Sequence, residues 1–245
     1  MKLKKKSLED LFNIKNKICI ISGGSGGIGS NLANLISYNG GKVCVIDKYI
    51  KKNKLNKNID YYKCDLSNEN KIKLVVKKII NKYKKIDCLV NAVGISNENS
   101  FIDNININLI AVYNFTKIII DKMKKNGGSI VNITSLNSEL GFSSNPGYVS
   151  SKGGLKMLTK SFCIDYSKYN IRINNIGPGY IKTNMTKKKF QKSKDRKLRI
   201  DRIPLGRYGE PEELFGPILF LLTDASSYVT GQDFYVDGGF LAKGI

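Results

Sequence analysis

Short β-branched, apolar runs alternate with helical stretches along almost the whole chain, and this alternation constrains the fold more than any other feature. The inner runs are nearly continuous in apolar residues, which is typical of strands buried on both faces of a parallel sheet. Seven runs predict strands, at Lys17–Ser22, Lys42–Ile46, Tyr61–Cys64, Ile86–Val90, Ser129–Ile133, Ile171–Ile176 and Asp233–Val236.

Helices are predicted in the intervals between these strands. Gly40-Gly41 ends the first helix, and Pro211, followed by two glutamates, is a typical helix start. Strand–helix–strand crossovers favour an α/β fold: a single doubly wound (Rossmann) domain over residues 1–245, with a seven-stranded parallel sheet and helices on both faces. The predicted helices are Ile28–Tyr38, Glu69–Tyr83, Asn104–Lys125, Gly147–Tyr169 and Pro211–Leu222.

The composition excludes several classes of chemistry. The chain of 245 residues contains no histidine, which excludes histidine general bases, histidine–zinc sites and Ser-His-Asp triads. The five cysteines form no CxxC pair, so we interpret them as buried thiols in a reducing compartment and predict no metal site. The N-terminus lacks the apolar core of a secretory signal, and no apolar run is long enough for a membrane helix. We therefore expect a cytoplasmic protein without membrane contact.

The formal net charge is +21 at pH 7, which raises the question of nucleic-acid binding. The charge comes from 36 lysines and only 5 arginines. A surface that recognises nucleic acid is expected to carry more arginine, the better bidentate ligand for phosphates and base edges. The composition therefore favours solvated lysines and no nucleic-acid partner.

A glycine-rich segment, Ser22–Gly29, follows the first predicted strand and opens the first helix. Its glycines let the backbone approach a pyrophosphate, which then lies at the positive end of the helix. Asp47 ends the second predicted strand, where its carboxylate can accept hydrogen bonds from the adenosine ribose and would repel a 2′-phosphate. The pattern predicts a dinucleotide site and favours NAD(H). Lys48, the next residue, keeps NADP(H) open as the alternative.

A tyrosine–lysine pair is the natural acid/base candidate in a chain without histidine. A spacing of four places both side chains on one helix face, where the ammonium can lower the pKa of the phenol. Action near neutral pH requires the phenolate to be stabilised by about 3 pKa units, or about 4 kcal/mol. The spacing occurs at Tyr38/Lys42, Tyr113/Lys117 and Tyr148/Lys152, each with a serine thirteen residues earlier.

Context selects the third pair. The first pair straddles Gly40-Gly41, and the serine before the second pair, Ser100, does not follow a predicted strand. Ser135, in contrast, comes just after a buried strand, and Tyr148 lies in the first turns of the next helix. Ligand crevices of open α/β sheets form at such strand ends. Ser135, Tyr148 and Lys152 are therefore the predicted acid/base group.

Further motifs lie in a characteristic order. Ser22–Gly29 is similar to TGxxxGxG, with Ser22 in place of threonine, and Asn91–Gly94 is similar to NNAG, with Ala92 and Val93 as departures. From about residue 16 to residue 239 the chain resembles the short-chain dehydrogenase/reductase family. The other segments that carry this resemblance are Cys64–Leu66, Ile107–Leu109, Ser135 with Tyr148-x-x-x-Lys152, Pro178-Gly179 through Thr183, and Asp237–Gly239.

The resemblance implies hydride transfer between a nicotinamide cofactor and a secondary alcohol or ketone. Tyr148 is expected to exchange the proton at the carbinol oxygen, and Lys152 to lower the tyrosine pKa and hold the nicotinamide ribose. Ser135 is expected to hydrogen-bond the substrate oxygen, and Asn108 to position a water that links Lys152 to solvent. The residues expected to hold the cofactor are Ser22, Gly23, Ser25, Gly27, Ile28, Gly29, Asp47, Asp65, Leu66, Asn91, Gly94, Tyr148, Lys152, Pro178, Gly179, Ile181 and Thr183.

The resemblance also implies a homotetramer and a substrate loop at about residues 180–203. The C-terminal part resembles both gluconate 5-dehydrogenase-like enzymes and 3-oxoacyl-acyl-carrier-protein reductases, and Asp47 favours the first, with a sugar-acid or polyol-type substrate. A non-catalytic NAD-sensing scaffold is a further alternative. The loop's cations indicate either an anionic substrate or a solvated, lysine-rich helix, and we favour the helix. They are Lys182, Lys187, Lys188, Lys189, Lys192, Lys194, Arg196, Lys197, Arg199 and Arg202.

Overall fold

The computed structural model describes residues 6–50, 56–186 and 193–243. Seven parallel strands form one sheet in the order β3-β2-β1-β4-β5-β6-β7. This confirms the predicted α/β fold with a seven-stranded parallel sheet. The strands are β1 (Ile18–Ser22), β2 (Lys42–Asp47), β3 (Ile59–Lys63), β4 (Cys88–Asn91), β5 (Gly128–Ile133), β6 (Ile171–Pro178) and β7 (Asp233–Val236).

Helices cover both faces of the sheet. One apolar core packs α2 and α8 against one face, and a second core packs α3, α5 and α6 against the other. Burial on both faces is the reason that the inner strands are continuous in apolar residues. The helices are α1 (Leu8–Leu11), α2 (Gly27–Tyr38), α3 (Glu69–Tyr83), α4 (Phe101–Ile105), α5 (Ala111–Met123), α6 (Pro146–Tyr166), α7 (Ser193–Ile200) and α8 (Phe215–Leu222).

The helix predicted over residues 104–125 is not one regular helix. A π-helical segment, Asn106–Ile110, lies between α4 and α5. The last predicted helix likewise begins with a 3₁₀ turn, Pro211–Leu214, before α8. Hydrophobic periodicity does not reveal one extra residue in a turn, so the π segment could not be predicted from it.

The strand order reverses direction between β1 and β4. In open α/β sheets, the connections diverge at such a point and leave a crevice at the carboxyl ends of the strands. The glycine-rich segment follows β1 and Asp47 ends β2, so both lie at this crevice. In the part of the chain that the structure describes, no helix has both the length and the apolar content needed to cross a membrane.

Candidate active site

A cavity of about 310 Å³ opens at the carboxyl ends of β1, β2 and β4. The cavity brings together segments that are distant in the sequence, from the glycine-rich loop to the end of β6. Of the predicted cofactor residues, it is lined by Gly23, Gly27, Ile28, Gly29, Asp47, Asp65, Leu66, Gly94 and Thr183.

The backbone of the glycine loop lies so close to neighbouring backbone atoms that Gly23 and Gly29 leave no room for a side chain. Gly23 has a φ of +70°, and a Cβ on it would lie 2.6 Å from the backbone of Val93. A Cβ on Gly29 would lie 2.4 Å from the carbonyl oxygen of Gly23. Gly26 precedes α2 and has no side chain to cap it, so the first amides of α2 are left for a ligand. These features fit a pyrophosphate at the start of α2.

Asp47 lies at the rim of this cavity with its carboxylate fixed by the backbone. Its Oδ2 accepts a hydrogen bond from the amide of Ser25 at 2.9 Å, and its Oδ1 accepts one from the amide of Tyr49 at 3.0 Å. Each carboxylate oxygen has a second lone pair, so the group can still accept ribose hydroxyls. Ser25 thus contributes its backbone to the loop by holding Asp47.

Lys48 and Asp65 form an ion pair beside Asp47. The Nζ of Lys48 lies 2.8 Å from Oδ2 of Asp65, and this bond with Lys48 lowers the pKa of Asp65 to about 2. Lys48, the residue for which NADP(H) stayed an alternative, is therefore already paired with a carboxylate. The charges of Asp47, Lys48 and Asp65 at the rim sum to −1. The Asp65 side chain, expected to contact adenine, makes this ion pair and bonds to Ser67.

Two predicted cofactor residues, Ser22 and Asn91, have side chains that are buried inside the fold. Ser22 is fully buried and donates a hydrogen bond to Oδ1 of Asn91 at 3.1 Å. The amide of Asn91 donates in turn to Thr116 and Asn132. These two side chains therefore join strands β1, β4 and β5 and helix α5, and the expectation that the two residues hold the cofactor stays a prediction.

The acid/base residues meet around a smaller cavity of about 120 Å³ next to the first one. Ser135, two residues after β5, lies beside Tyr148 at the start of α6, and its hydroxyl acts to lower the tyrosine pKa. The same hydroxyl donates to Oδ1 of Asn137 at 3.2 Å. The Nζ of Lys152 lies 5.8 Å from the centre of the Tyr148 ring and donates to the carbonyl oxygen of Ile133 at 2.7 Å. The same cavity is lined by Gly94, Pro178, Gly179, Ile181 and Thr183.

Burial governs the pKa values of this pair. Burial raises the pKa of Tyr148, and the hydrogen bond from Ser135 opposes that rise. Burial also lowers the pKa of Lys152 to about 8. The cost of removing the phenolate from water is the largest influence on the pKa of Tyr148. The expectation that Lys152 lowers this pKa stays a prediction.

Asn108 lies in the π segment and bridges the loop after β4 to α6. Its Oδ1 accepts from the amide of Ile95 at 2.8 Å. Its Nδ2 donates to the carbonyl of Ile95 at 2.9 Å and to the hydroxyl of Ser151 at 3.0 Å. A Cβ on Gly94 would lie 3.4 Å both from Oδ1 of Asn108 and from Nζ of Lys152. Asn108 and Lys152 are thus neighbours across Gly94.

A third cavity, of about 180 Å³, opens on the other side of Tyr148. Eight of the side chains that line it carry hydroxyl or amide groups and Glu98 adds a carboxylate, while Leu136, Phe142, Pro178 and Met185 give it an apolar part. A polar molecule in this cavity can reach the hydroxyl groups of both Ser135 and Tyr148. The polar lining residues are Ser96, Glu98, Ser135, Asn137, Ser143, Asn145, Tyr148, Tyr180 and Thr186.

Asn145 is a site residue that the sequence analysis missed. Its Oδ1 accepts from the amide of Tyr148 at 3.1 Å, which caps α6, and its Nδ2 donates to Ser96 at 3.0 Å. The signal was present, because an asparagine followed by Pro146 is a typical helix start. Asn145 fixes the first turn of the helix that carries Tyr148.

The predicted substrate loop, at about residues 180–203, falls partly outside the described residues. Lys187, Lys188, Lys189 and Lys192 lie there, and nothing is described of the side chains of residues 193–196. Lys182 forms an ion pair with Glu210. Arg199 lies 5.8 Å from the centre of the Tyr180 ring, and Arg202 lies 5.5 Å from that of Phe240. Among these cations, Arg199 is therefore close to a residue that lines the third cavity.

The fold and these motifs define a nucleotide-dependent oxidoreductase of the doubly wound class. A family model described as Enoyl-(Acyl carrier protein) reductase matches residues 23–241. The chain belongs to the short-chain dehydrogenase/reductase family, as the motifs predicted. It is an oxidoreductase of a family whose members bind NAD(P).

Two curated relatives match almost the whole chain. The 3-oxoacyl-(acyl-carrier-protein) reductase of Thermotoga maritima is 38% identical, over 93% of this chain and 99% of its own length. The 5-keto-D-gluconate 5-reductase of Escherichia coli K12 is 32% identical, over 96% and 99%. A crystal structure of a gluconate 5-dehydrogenase from Burkholderia cenocepacia, in complex with NADP and tartrate, has a TM-score of 0.89 at 27% identity, over 95% of this chain and 98% of that one.

Proposed function

We propose that this protein interconverts a secondary alcohol and a ketone on a sugar acid or similar polyol, with NAD(H) as the cofactor and Tyr148 as the acid/base. The observation that carries the proposal is the position of the Tyr148 hydroxyl. Tyr148 lines both the 120 Å³ cavity next to the glycine loop and the third cavity, and Ser135 lines both cavities beside it.

The glycine loop and Asp47 would hold the dinucleotide, and Gly94, Pro178, Gly179, Ile181 and Thr183 would enclose its reactive end. When bound, the nicotinamide accepts or gives the hydride, and its oxidised form adds a positive charge near Tyr148. Lys152, fixed by the carbonyl of Ile133, would hold the ribose.

The proton moves through the chain's own residues. In ketone reduction, the Tyr148 hydroxyl gives its proton to the substrate oxygen while Ser135 donates a hydrogen bond to the same oxygen. In alcohol oxidation, the Tyr148 phenolate takes that proton. The ammonium of Lys152 stabilises the phenolate, and Asn108 would hold a water through which Lys152 exchanges protons with solvent.

The third cavity supports a polyhydroxylated substrate. Its hydroxyl and amide side chains can exchange hydrogen bonds with the many hydroxyl groups of a sugar acid, which a plain fatty-acyl chain cannot do. Arg199, against Tyr180, supports a substrate that carries a carboxylate. The similarity to the Thermotoga maritima reductase supports a second candidate, a 3-oxoacyl thioester. We also propose a cytoplasmic homotetramer, on family resemblance.

A substrate panel tests this function. We expect a sugar acid, such as gluconate, to reduce NAD⁺ faster than 3-hydroxyacyl thioesters do, measured by NADH absorbance with the Tyr148→Phe protein as the blank. Faster turnover of the thioesters would favour the second candidate. Binding of NADH without turnover of any compound in a broad panel of alcohols and ketones would favour a nucleotide-sensing scaffold.

A further inference from the structure

A row of polar side chains crosses the sheet close to the carboxyl ends of its central strands. We call these residues the polar row; the strand register pairs each one with the next. All but the last are at most 2% exposed. In spatial order, the members are Ser22 of β1, Asn91 of β4, Asn132 of β5, Asn175 of β6 and Asp233 of β7.

The first half of the polar row is joined by direct hydrogen bonds. Ser22 donates to Oδ1 of Asn91 at 3.1 Å, and Nδ2 of Asn91 donates to Oδ1 of Asn132 at 2.8 Å. The second proton of the Asn91 amide goes to the hydroxyl of Thr116 in α5, at 2.9 Å. The polar groups of Asn91 are thereby satisfied, as buried groups must be.

The second half runs through the catalytic helix. Asn132 does not bond directly to Asn175: its Nδ2 donates to the hydroxyl of Thr159 in α6 at 2.8 Å, and that hydroxyl donates to Oδ1 of Asn175 at 2.6 Å. Asn175 then donates to Oδ1 of Asp233 at 2.7 Å. The hydroxyl of Thr159 both accepts and donates, so a residue without a hydroxyl breaks the chain at this point.

Every hydrogen bond along the polar row points the same way, from Ser22 toward the carboxylate of Asp233. Hydrogen bonds in such a chain polarise and strengthen one another, and an ionised acceptor at the end adds to this effect. In each asparagine of the polar row, the side-chain oxygen accepts from the preceding residue and the nitrogen donates toward Asp233, so the orientation of each amide is set. The polar row therefore specifies one arrangement of strands and helix.

Thr159 connects this arrangement to the candidate active site. It lies on the buried face of α6, seven residues and about two turns after Lys152. Lys152 bonds to the carbonyl of Ile133, the residue after Asn132, so α6 is attached at two points to neighbouring parts of the sheet. A shift of α6 along its axis would move Tyr148 and Lys152 together.

We propose that Thr159 is a positioning residue: through the polar row, its hydroxyl holds α6 against β5 and β6 and so sets where Tyr148 and Lys152 lie. This inference rests on the proposed function, because it acts through those two side chains. It predicts a loss of kcat that is larger than any loss of cofactor affinity, since α6 would contribute only Tyr148 and Lys152 to cofactor binding, and the glycine loop and Asp47 lie on other elements.

A matched pair of variants tests this role. Thr159→Val keeps the shape and removes the hydroxyl, and Thr159→Ser keeps the hydroxyl and removes a methyl group. With the best substrate of the panel, we expect Thr159→Val to lower kcat by about tenfold to a hundredfold, with the Kd for NADH raised by no more than about threefold. Thr159→Ser should keep kcat within about threefold of the unmodified protein. Thr223→Val removes a buried hydroxyl outside the polar row and should leave kcat unchanged.

Full kcat in a folded Thr159→Val protein would overturn the role, as would an equal loss in Thr159→Ser. If Thr159→Val does not fold, the partly exposed end of the polar row provides the test: Asp233→Ala should lower kcat, and Asp233→Asn, which keeps an acceptor for Asn175, should lower it less. Equal kcat in both would also overturn it. Turnover that persists in Tyr148→Phe marks a failure of the proposed function instead.

Discussion

Tyr148→Phe should lower kcat by about a thousandfold and leave the Kd for NADH nearly unchanged. The substitution removes only the phenol hydroxyl, so the ring still lines the 120 Å³ cavity. General acid/base groups contribute on the order of 10²- to 10⁴-fold, and in this site the hydroxyl of Tyr148 is the proposed source of that contribution. Steady-state kinetics with the best substrate, together with NADH fluorescence titration, measure both quantities.

The chain offers a matched control for this experiment. Tyr113 and Lys117 have the same spacing as the catalytic pair, and the Nζ of Lys117 lies 5.2 Å from the centre of the Tyr113 ring. That pair lies within α5, whose side chains pack against α3 and α6. Tyr113→Phe should therefore keep kcat. A similar loss in both variants would contradict a specific role for Tyr148.

Asp47→Asn should shift the ratio of affinities for NADH and NADPH toward NADPH by about a hundredfold. The change keeps the size of the side chain and removes its charge. A unit charge about 5 Å from a 2′-phosphate, at an effective dielectric constant of about 20, corresponds to about 3 kcal/mol of repulsion. Fluorescence titration of both cofactors gives the ratio directly.

Lys48 provides the control for Asp47. Because Lys48 is paired with Asp65, Lys48→Gln should not weaken the preference for NADH. If the ratio of affinities for NADH and NADPH in the Asp47→Asn protein lies within about twofold of that in the unmodified protein, the charge of Asp47 does not set the cofactor preference. The specificity would then have to arise elsewhere in the glycine loop.

The parts of the fold that depend on local sequence patterns, above all the strands, could be predicted from the sequence. All seven strands were predicted to within a few residues, and the inner ones are nearly continuous in apolar residues because they are covered on both faces. The choice among three tyrosine–lysine pairs depended on Ser135 following a strand, and the structure does bring Ser135, Tyr148 and Lys152 together.

Features that depend on strand register or on burial could not be predicted. The hydrogen-bond partners of the Asn91 and Asn132 side chains lie on other strands and helices. No local sequence pattern therefore reveals that these two side chains are buried and bonded inside the fold. The rise in the pKa of Tyr148 depends on how much of the phenol is shielded from water, which spacing along a helix does not determine.

The central claim is that the Tyr148 phenol acts as the proton donor and acceptor beside a bound dinucleotide. A pH titration of phenolate absorbance, taken as the difference between the unmodified protein and Tyr148→Phe, follows this one group. We expect the pKa of Tyr148 to lie above its ordinary value in the free protein, because the phenol is shielded from water, and we expect saturating NAD⁺ to lower this pKa below the ordinary value. A Tyr148 pKa that stays raised when NAD⁺ is bound would contradict the account.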